Sequence, residues 1–235
     1  MAIPPTPGPA GPLAGLRRRL WVPERPRVAV PAPDPEPAPV PRPEVEFAGY
    51  AEDCRIFGFL RLDAERLSDA LNAHAELSLV DVLLVALDDS RAITAGSLSV
   101  TRDELLAVRA SGPRGNAGRR GRTRPYPVTL QSGPYLVHGY LHGPPGGDPI
   151  RQLRRRPPMV PLTEAWIAYL VAGQDHRARV GTIIINHELL DWVRPALDEE
   201  VMLPSLPMES AVDPRAKDLT GYIWTGRASG DHPPT

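Results

Sequence analysis

The segment CRIFGFLRLDAERLSDALNAHAELSLVDVLLVAL has a counterpart later in the same chain, YLVHGYLHGPPGGDPIRQLRRRPPMVPLTEAWIAYL. Gly58, Phe59 and Leu60 fall on Gly139, Tyr140 and Leu141; Leu71 meets Leu153, Leu79 meets Leu162, and Asp81 meets Glu164. GSLSVTRDELLAVR then continues against GTIIINHELLDWVR, with Gly96 on Gly181, Val100 on Ile185, Thr101 on Asn186 and Arg109 on Arg194. Turn glycines, caps and core-facing positions coincide in one order, which is the pattern of a duplication. A unit of roughly 60 to 70 residues is marginal alone, so two are expected to share a core or an interface.

Each unit reads as β-α-β-β-β. Arg55–Leu62 alternates and ends at Asp63, a good N-cap for a short helix whose apolar stripe is Leu67, Ala70 and Leu71 and which Asn72 can end. Leu77–Leu87 is apolar on both faces, as in a central buried strand. Asp88 and Asp89 open a turn, and a strand follows from Ile93 to Val100. Leu105–Arg109 reads as a last strand, although TRDE just before it also fits a capping box. In the second unit the helix is in doubt, because Pro144, Pro145, Gly146, Gly147 and Pro149 precede it and Pro157 and Pro158 stop it. The expected fold is mainly β within the α+β class, two diverged units packed as small barrels or as a pseudo-symmetric sandwich.

The RLSDALN helix, the apolar strand after it and the G-x-L-x-V-T hairpin resemble small uncharacterised bacterial domains that carry an RLSD-x-LN segment and occur singly or in tandem. That resemblance implies a small β-rich fold and brings no activity with it. The second unit departs from it where DPIRQLR replaces RLSDALN.

Around the units the composition changes. VAVPAPDPEPAPVPRP, from Val28 to Pro43, alternates proline with small or charged residues and favours a solvated polyproline conformation. The expected organisation is a disordered proline-rich arm over 1–46, a first unit over 47–111, a Gly/Arg linker over 112–126, a second unit over 127–196 and an irregular acidic tail over 197–235. Within the arm, Leu13–Trp21 sets Leu13, Leu16, Leu20 and Trp21 against Arg17, Arg18 and Arg19, the makings of a docking peptide. The start of the chain places arginines after a weakly apolar, proline-broken stretch, the reverse of a secretion signal, so a cytoplasmic location is expected. No apolar run approaches the roughly 20 residues of a membrane-crossing helix.

Charge supplies no global field, since 27 basic residues meet 28 acidic ones. Cys54 is the only cysteine, which excludes an intramolecular disulfide and any multi-cysteine metal site; it reads as a half-buried strand thiol. Local charge is concentrated in SGPRGNAGRRGRTRP, with Arg114, Arg119, Arg120, Arg122 and Arg124, and in the run Arg154, Arg155 and Arg156 beside Arg151. These arginines are the candidate nucleic-acid contacts, although they lack the interleaved aromatics that stack on bases. RRRPP also resembles part of the arginine motif of cyclic-dinucleotide receptors, but the D/N-x-S-x-x-G partner segment is absent downstream.

Asp81 and Glu164 form the candidate carboxylate pair, two acids at equivalent places beside the most apolar strands. The favoured alternative is that each accepts backbone N–H bonds at a turn or bulge entering the strand. His138, Tyr140 and His142 alternate along one strand, but residues four apart on a strand are separated by about 13 Å and do not share one ion. No catalytic grouping, metal site, cofactor or small-molecule ligand is identified. The expected function is that of a non-enzymatic interaction, scaffold or regulatory protein with a protein partner, and the alternative is nucleic-acid binding through the arginine runs.

Overall fold

Proline punctuation stops at Pro43 and the chain enters β1 (Glu44–Tyr50) at once, with Val45 and Phe47 buried between exposed Glu44 and Glu46. The computed structural model describes residues 42–115, 121–201, 207–209 and 214–215, all within the unit that begins at Pro41. The proline-rich stretch up to Pro41, the Leu13–Trp21 segment, Arg119 and Arg120 lie outside the described residues.

After β1 come β2 (Cys54–Arg61), α1 (Leu67–Ala73), β3 (Glu76–Ala86), β4 (Ala92–Thr101), a 3-10 turn at Arg102–Glu104 and β5 (Ala107–Arg109). Then follow β6 (Arg124–Ser132), β7 (Tyr135–Gly143), α2 (Pro149–Leu153), β8 (Met159–Val171), β9 (Gln174–Asn186), a 3-10 turn at His187–Leu189, β10 (Trp192–Pro195) and α3 (Asp198–Val201). The chain is mainly β. All ten strands hydrogen-bond into one antiparallel sheet in the order β10-β6-β7-β8-β9-β5-β1-β2-β3-β4, so the first five and the last five strands lie in the same relative sequence.

The two runs of strands join where β5 pairs with β9, through Ala107↔Ile185, Val108↔Ile184 and Arg109↔Ile183. The ladder is extended by Asn186 N–H to the Leu106 carbonyl and Ala110 N–H to the Thr182 carbonyl, both 2.9 Å. Side chains alternate across this seam and the cores trade residues. Ile184 and Met159 pack with Phe47, Leu105 and Val108, whereas Tyr50, Leu87, Leu106 and Ala107 pack with Tyr135, Ile167 and Ile185. The tip of the β8–β9 hairpin adds Ala172 N–H to the Leu87 carbonyl at 2.7 Å. Neither set of strands buries its apolar face without the other.

Several local expectations need correction. Each run has five strands rather than four, because β1 and β6 each precede the strand with which its unit was expected to begin; they start at Glu44 and Arg124, ahead of the boundaries at 46 and 126. Asp63 does not cap α1: the N-cap is Arg66, and Asp63 instead meets His74 Nε2 at 2.9 Å. Leu67, Ala70 and Leu71 do form the buried stripe. Asn72 does not end the helix but sits within it, donating to the Ser68 and Met159 carbonyls and accepting from Met159 N–H, which ties α1 to β8. β3 is not apolar-buried on both faces; its first half alternates buried with exposed residues. The doubtful helix exists as α2, because Asp148 accepts from the Ile150 and Arg151 N–H groups and Pro149 sits in the first turn, where its missing donor costs nothing. TRDE makes the 3-10 turn, with the Glu104 carboxylate accepting the Thr101 N–H at 2.8 Å, and β5 is correspondingly short.

Candidate functional site

Asp81 and Glu164 take up the same backbone conformation, φ +50° and +51°, in equivalent bulges. Gly58 faces Asp81 and Val82 where the β2–β3 register shifts, and Gly139 faces Glu164 and Ala165 where β7–β8 shifts. A Cβ on either glycine would stand 3.2 Å from a backbone carbonyl, Val80 O or Thr163 O, which is why glycine recurs there. Both acids point to solvent and four strands lie between theirs in the sheet, so the structure does not bring them together. Asp81 pairs with Arg215, whose guanidinium also reaches Glu44 at 2.8 Å and lies over the Phe59 ring.

The two arginine runs come near each other at Gly143, which pairs with Arg124 and lies beside the Arg156 guanidinium. Arg114, Arg122, Arg124, Arg154 and Arg155 are exposed. Arg156 is a structural residue, its Nη2 donating to the His142 carbonyl at 2.6 Å. His138 stacks on Trp166 with ring centroids 3.9 Å apart, its Nδ1 2.9 Å from the Thr129 hydroxyl, and burial lowers its pKa to about 4. His142 Nε2 meets the Thr163 hydroxyl at 2.8 Å, and burial lowers its pKa also. Cys54 opens β2 half-buried, and burial raises its thiol to about 11, which makes it a poor nucleophile.

The densest polar constellation lies at the seam. Tyr50 ends β1, Arg55 is the second residue of β2, Tyr135 begins β7, Tyr169 is near the end of β8 and His176 near the start of β9. The three tyrosine rings form an edge-to-face triangle with centroids 5.2, 5.3 and 6.3 Å apart, and each ring is almost wholly buried. The Arg55 guanidinium sits over the Phe57 and Tyr169 rings, 4.6 and 5.5 Å from their centroids.

Into this centre the C-terminal tail inserts Glu209. Its carboxylate accepts from Arg55 Nη2 at 2.8 Å, from the Tyr169 hydroxyl at 3.1 Å and from the Tyr50 hydroxyl. Arg109 Nη1 donates to its main-chain carbonyl at 3.2 Å, and His176 Nε2 stands 3.9 Å from the carboxylate. Either side of Met208 the tail adds to β9 as a parallel bridge at Arg179. Arg179 N–H donates to the Pro207 carbonyl and Glu209 N–H to the Arg179 carbonyl, both at 2.8 Å.

The electrostatics suit a captured carboxylate. Burial pushes the Tyr50 and Tyr169 phenols up, with Glu209 reinforcing it, so both remain protonated donors. Burial works against the Arg55 charge, but Tyr169 and Glu209 outweigh it and hold the guanidinium above its ordinary pKa. Burial, then Arg55, lower the His176 pKa, leaving a neutral ring beside the ion pair. A cavity of about 40 Å³, lined by Arg55, Leu87, Ser90, Val171 and His176 among others, adjoins the centre; it has room for water but not for a metabolite.

The sequence reading missed this site. The acidic tail carries Glu209 to Arg55, an arginine in neither run. Among the described residues, no helix is long and apolar enough to cross a membrane. No protein-family model matches the chain, and neither a curated protein nor a solved structure matches it.

Proposed function

We propose that this chain is a non-enzymatic interaction protein: two diverged copies of one unit, each curling toward a small barrel, fused into a platform that engages a protein partner, with the proline-rich arm as its tether. One observation carries the reading. The most developed polar centre holds an extended peptide segment by main-chain pairing and by capture of one carboxylate, which is the geometry of peptide recognition by strand addition. Its polar groups are spent on that contact and face no open cleft where a substrate would sit.

The test is capture of partners on the immobilised full-length chain and on a chain lacking residues 1–41, with and without nuclease and at two salt concentrations. The reading expects a defined protein to be retained after nuclease treatment, and to be lost with the arm if the arm recruits it. Retention that vanishes with nuclease or falls steeply with salt would instead make Arg122, Arg124, Arg154 and Arg155 the working surface and the protein a nucleic-acid binder.

A further inference from the structure

The residues around Glu209 belong to both halves of the sheet: Tyr50, Arg55 and Arg109 come from the first five strands, Tyr169, His176 and the Arg179 main chain from the last five. What they grip is small. Among the described residues of the tail segment Pro207–Glu209, only Glu209 is buried; Met208 is 61% exposed and Pro207 is exposed as well. The hold on this segment therefore consists of three sequence-independent bonds to its main chain, two with the Arg179 main chain and one from Arg109 Nη1, and of one carboxylate, and any extended peptide with a glutamate in that register makes the same contacts.

The receptor side is far less replaceable. Tyr50 and Tyr169 are 1% and 3% exposed and the Arg55 side chain 14%. Arg55 Nε is buried without a hydrogen-bond partner, so the guanidinium already carries a polar deficit. Withdrawal of Glu209 would leave a buried cation and two buried phenol donors with no acceptor, a state that binding a carboxylate relieves. The adjoining cavity is too small for an organic ligand of its own, so the acceptor has to arrive as Glu209 does, on a strand lying along β9.

We infer that the seam is a receptor for an acidic peptide in extended conformation, specifically for one glutamate flanked by main chain that pairs with Arg179, and that residues 207–209 are its resident occupant in cis. The partner class is a protein carrying an exposed acidic strand-forming segment, which displaces the tail when it binds. This inference rests on the interaction reading above and names its ligand.

The probe is a fluorescein-labelled synthetic peptide of residues 203–213 of this chain (LPSLPMESAVD), titrated into the full-length chain carrying Glu209→Ala and followed by anisotropy. The peptide is expected to bind, its version with glutamine at the position of Glu209 to bind at least tenfold more weakly, and wild-type chain to bind it at least tenfold more weakly because its own tail competes. A second measurement covers loss of folding in the variant. In wild-type chain with a protease site inserted after Pro204 and cut, the severed tail should stay associated and exchange for labelled peptide. Absence of binding, equal binding of the glutamate and glutamine peptides, or a cut tail that neither stays nor exchanges overturns the receptor. If the receptor fails while a partner is still captured after nuclease, the interaction reading survives and only its ligand is wrong.

Discussion

Glu209 places its carboxylate 2.8 Å from Nη2 of Arg55, a residue 154 positions earlier, where it also accepts from the Tyr50 and Tyr169 hydroxyls of the two halves of the sheet. An ion pair this enclosed is costly to break from one side only, because the surviving charge is stranded. The same enclosure makes it selective, since only a group that satisfies Arg55, Tyr50 and Tyr169 together can replace the carboxylate.

One buried histidine and two half-buried ones predict an acid sensitivity. In the folded chain His138 has a pKa of about 4, and those of His142 and His176 are also depressed, whereas all three return toward the ordinary value near 6.5 on unfolding. Below pH 6.5 the unfolded chain therefore binds more protons than the folded one, and stability falls as pH drops from 6.5 toward 4. Urea melts at pH 7.5, 6 and 5 should show this decline, and the His138 Cε1–H resonance should titrate near pH 4. A midpoint near 6.5 would mean the stack on Trp166 is not maintained.

The bulge acids should behave as conformational residues. Asp81 and Glu164 hold φ near +50°, a region that glycine occupies freely. Glu164→Gly is expected to be neutral or to stabilise by up to about 1 kcal/mol, and Glu164→Val to destabilise by about 1–2 kcal/mol, because a β-branched side chain is strained there. Chemical melts of the two variants decide it; loss of stability in the glycine variant would contradict the bulge account.

The seam predicts a contrast between equivalent edges. Ile184 is 1% exposed between the cores, and its counterpart by the repeat alignment, Ser99, is exposed on β4. Ala110, whose N–H bonds Thr182, corresponds to Pro195 on β10, which has no N–H to give. Polar and proline substitutions of this kind guard free sheet edges against further pairing. Ile184→Ser should cost about 3–4 kcal/mol. The pair Ser99→Ile and Pro195→Ala should make the chain associate with rising concentration in sedimentation runs, and a variant that sediments like wild type would contradict the guarding role.

How much of this is legible in the sequence varies with the range of the interaction. The Leu67, Ala70, Leu71 stripe and the turn at Asp88 and Asp89 follow from local pattern and turn chemistry, and both are found. β1 and β6 escape because Pro41, Pro43, Pro125 and Pro127 crowd them. Yet Pro43 precedes β1, and in β6 Pro125 and Pro127 sit before its buried stretch begins at Val128. The bulge reading of Asp81 and Glu164 was visible as an alternative, since an acid recurring opposite a recurring glycine is a backbone signature. Glu209 was invisible: it lies among prolines and acids, and nothing near it in sequence announces Arg55 or the tyrosines. The faint available signal is that Tyr50, Tyr135 and Tyr169 lie at or near strand ends, which places phenols at sheet corners where a crossing segment can reach them.

The most direct measurement of the central claim is a double-mutant cycle on Arg55→Met and Glu209→Gln, read by urea unfolding of the full-length chain. If Glu209 is seated on Arg55, each single change destabilises and the double change costs less than their sum, with a coupling of about 1–3 kcal/mol. Additive effects within a few tenths of a kcal/mol would contradict the account, because the tail would then not occupy the seam in solution.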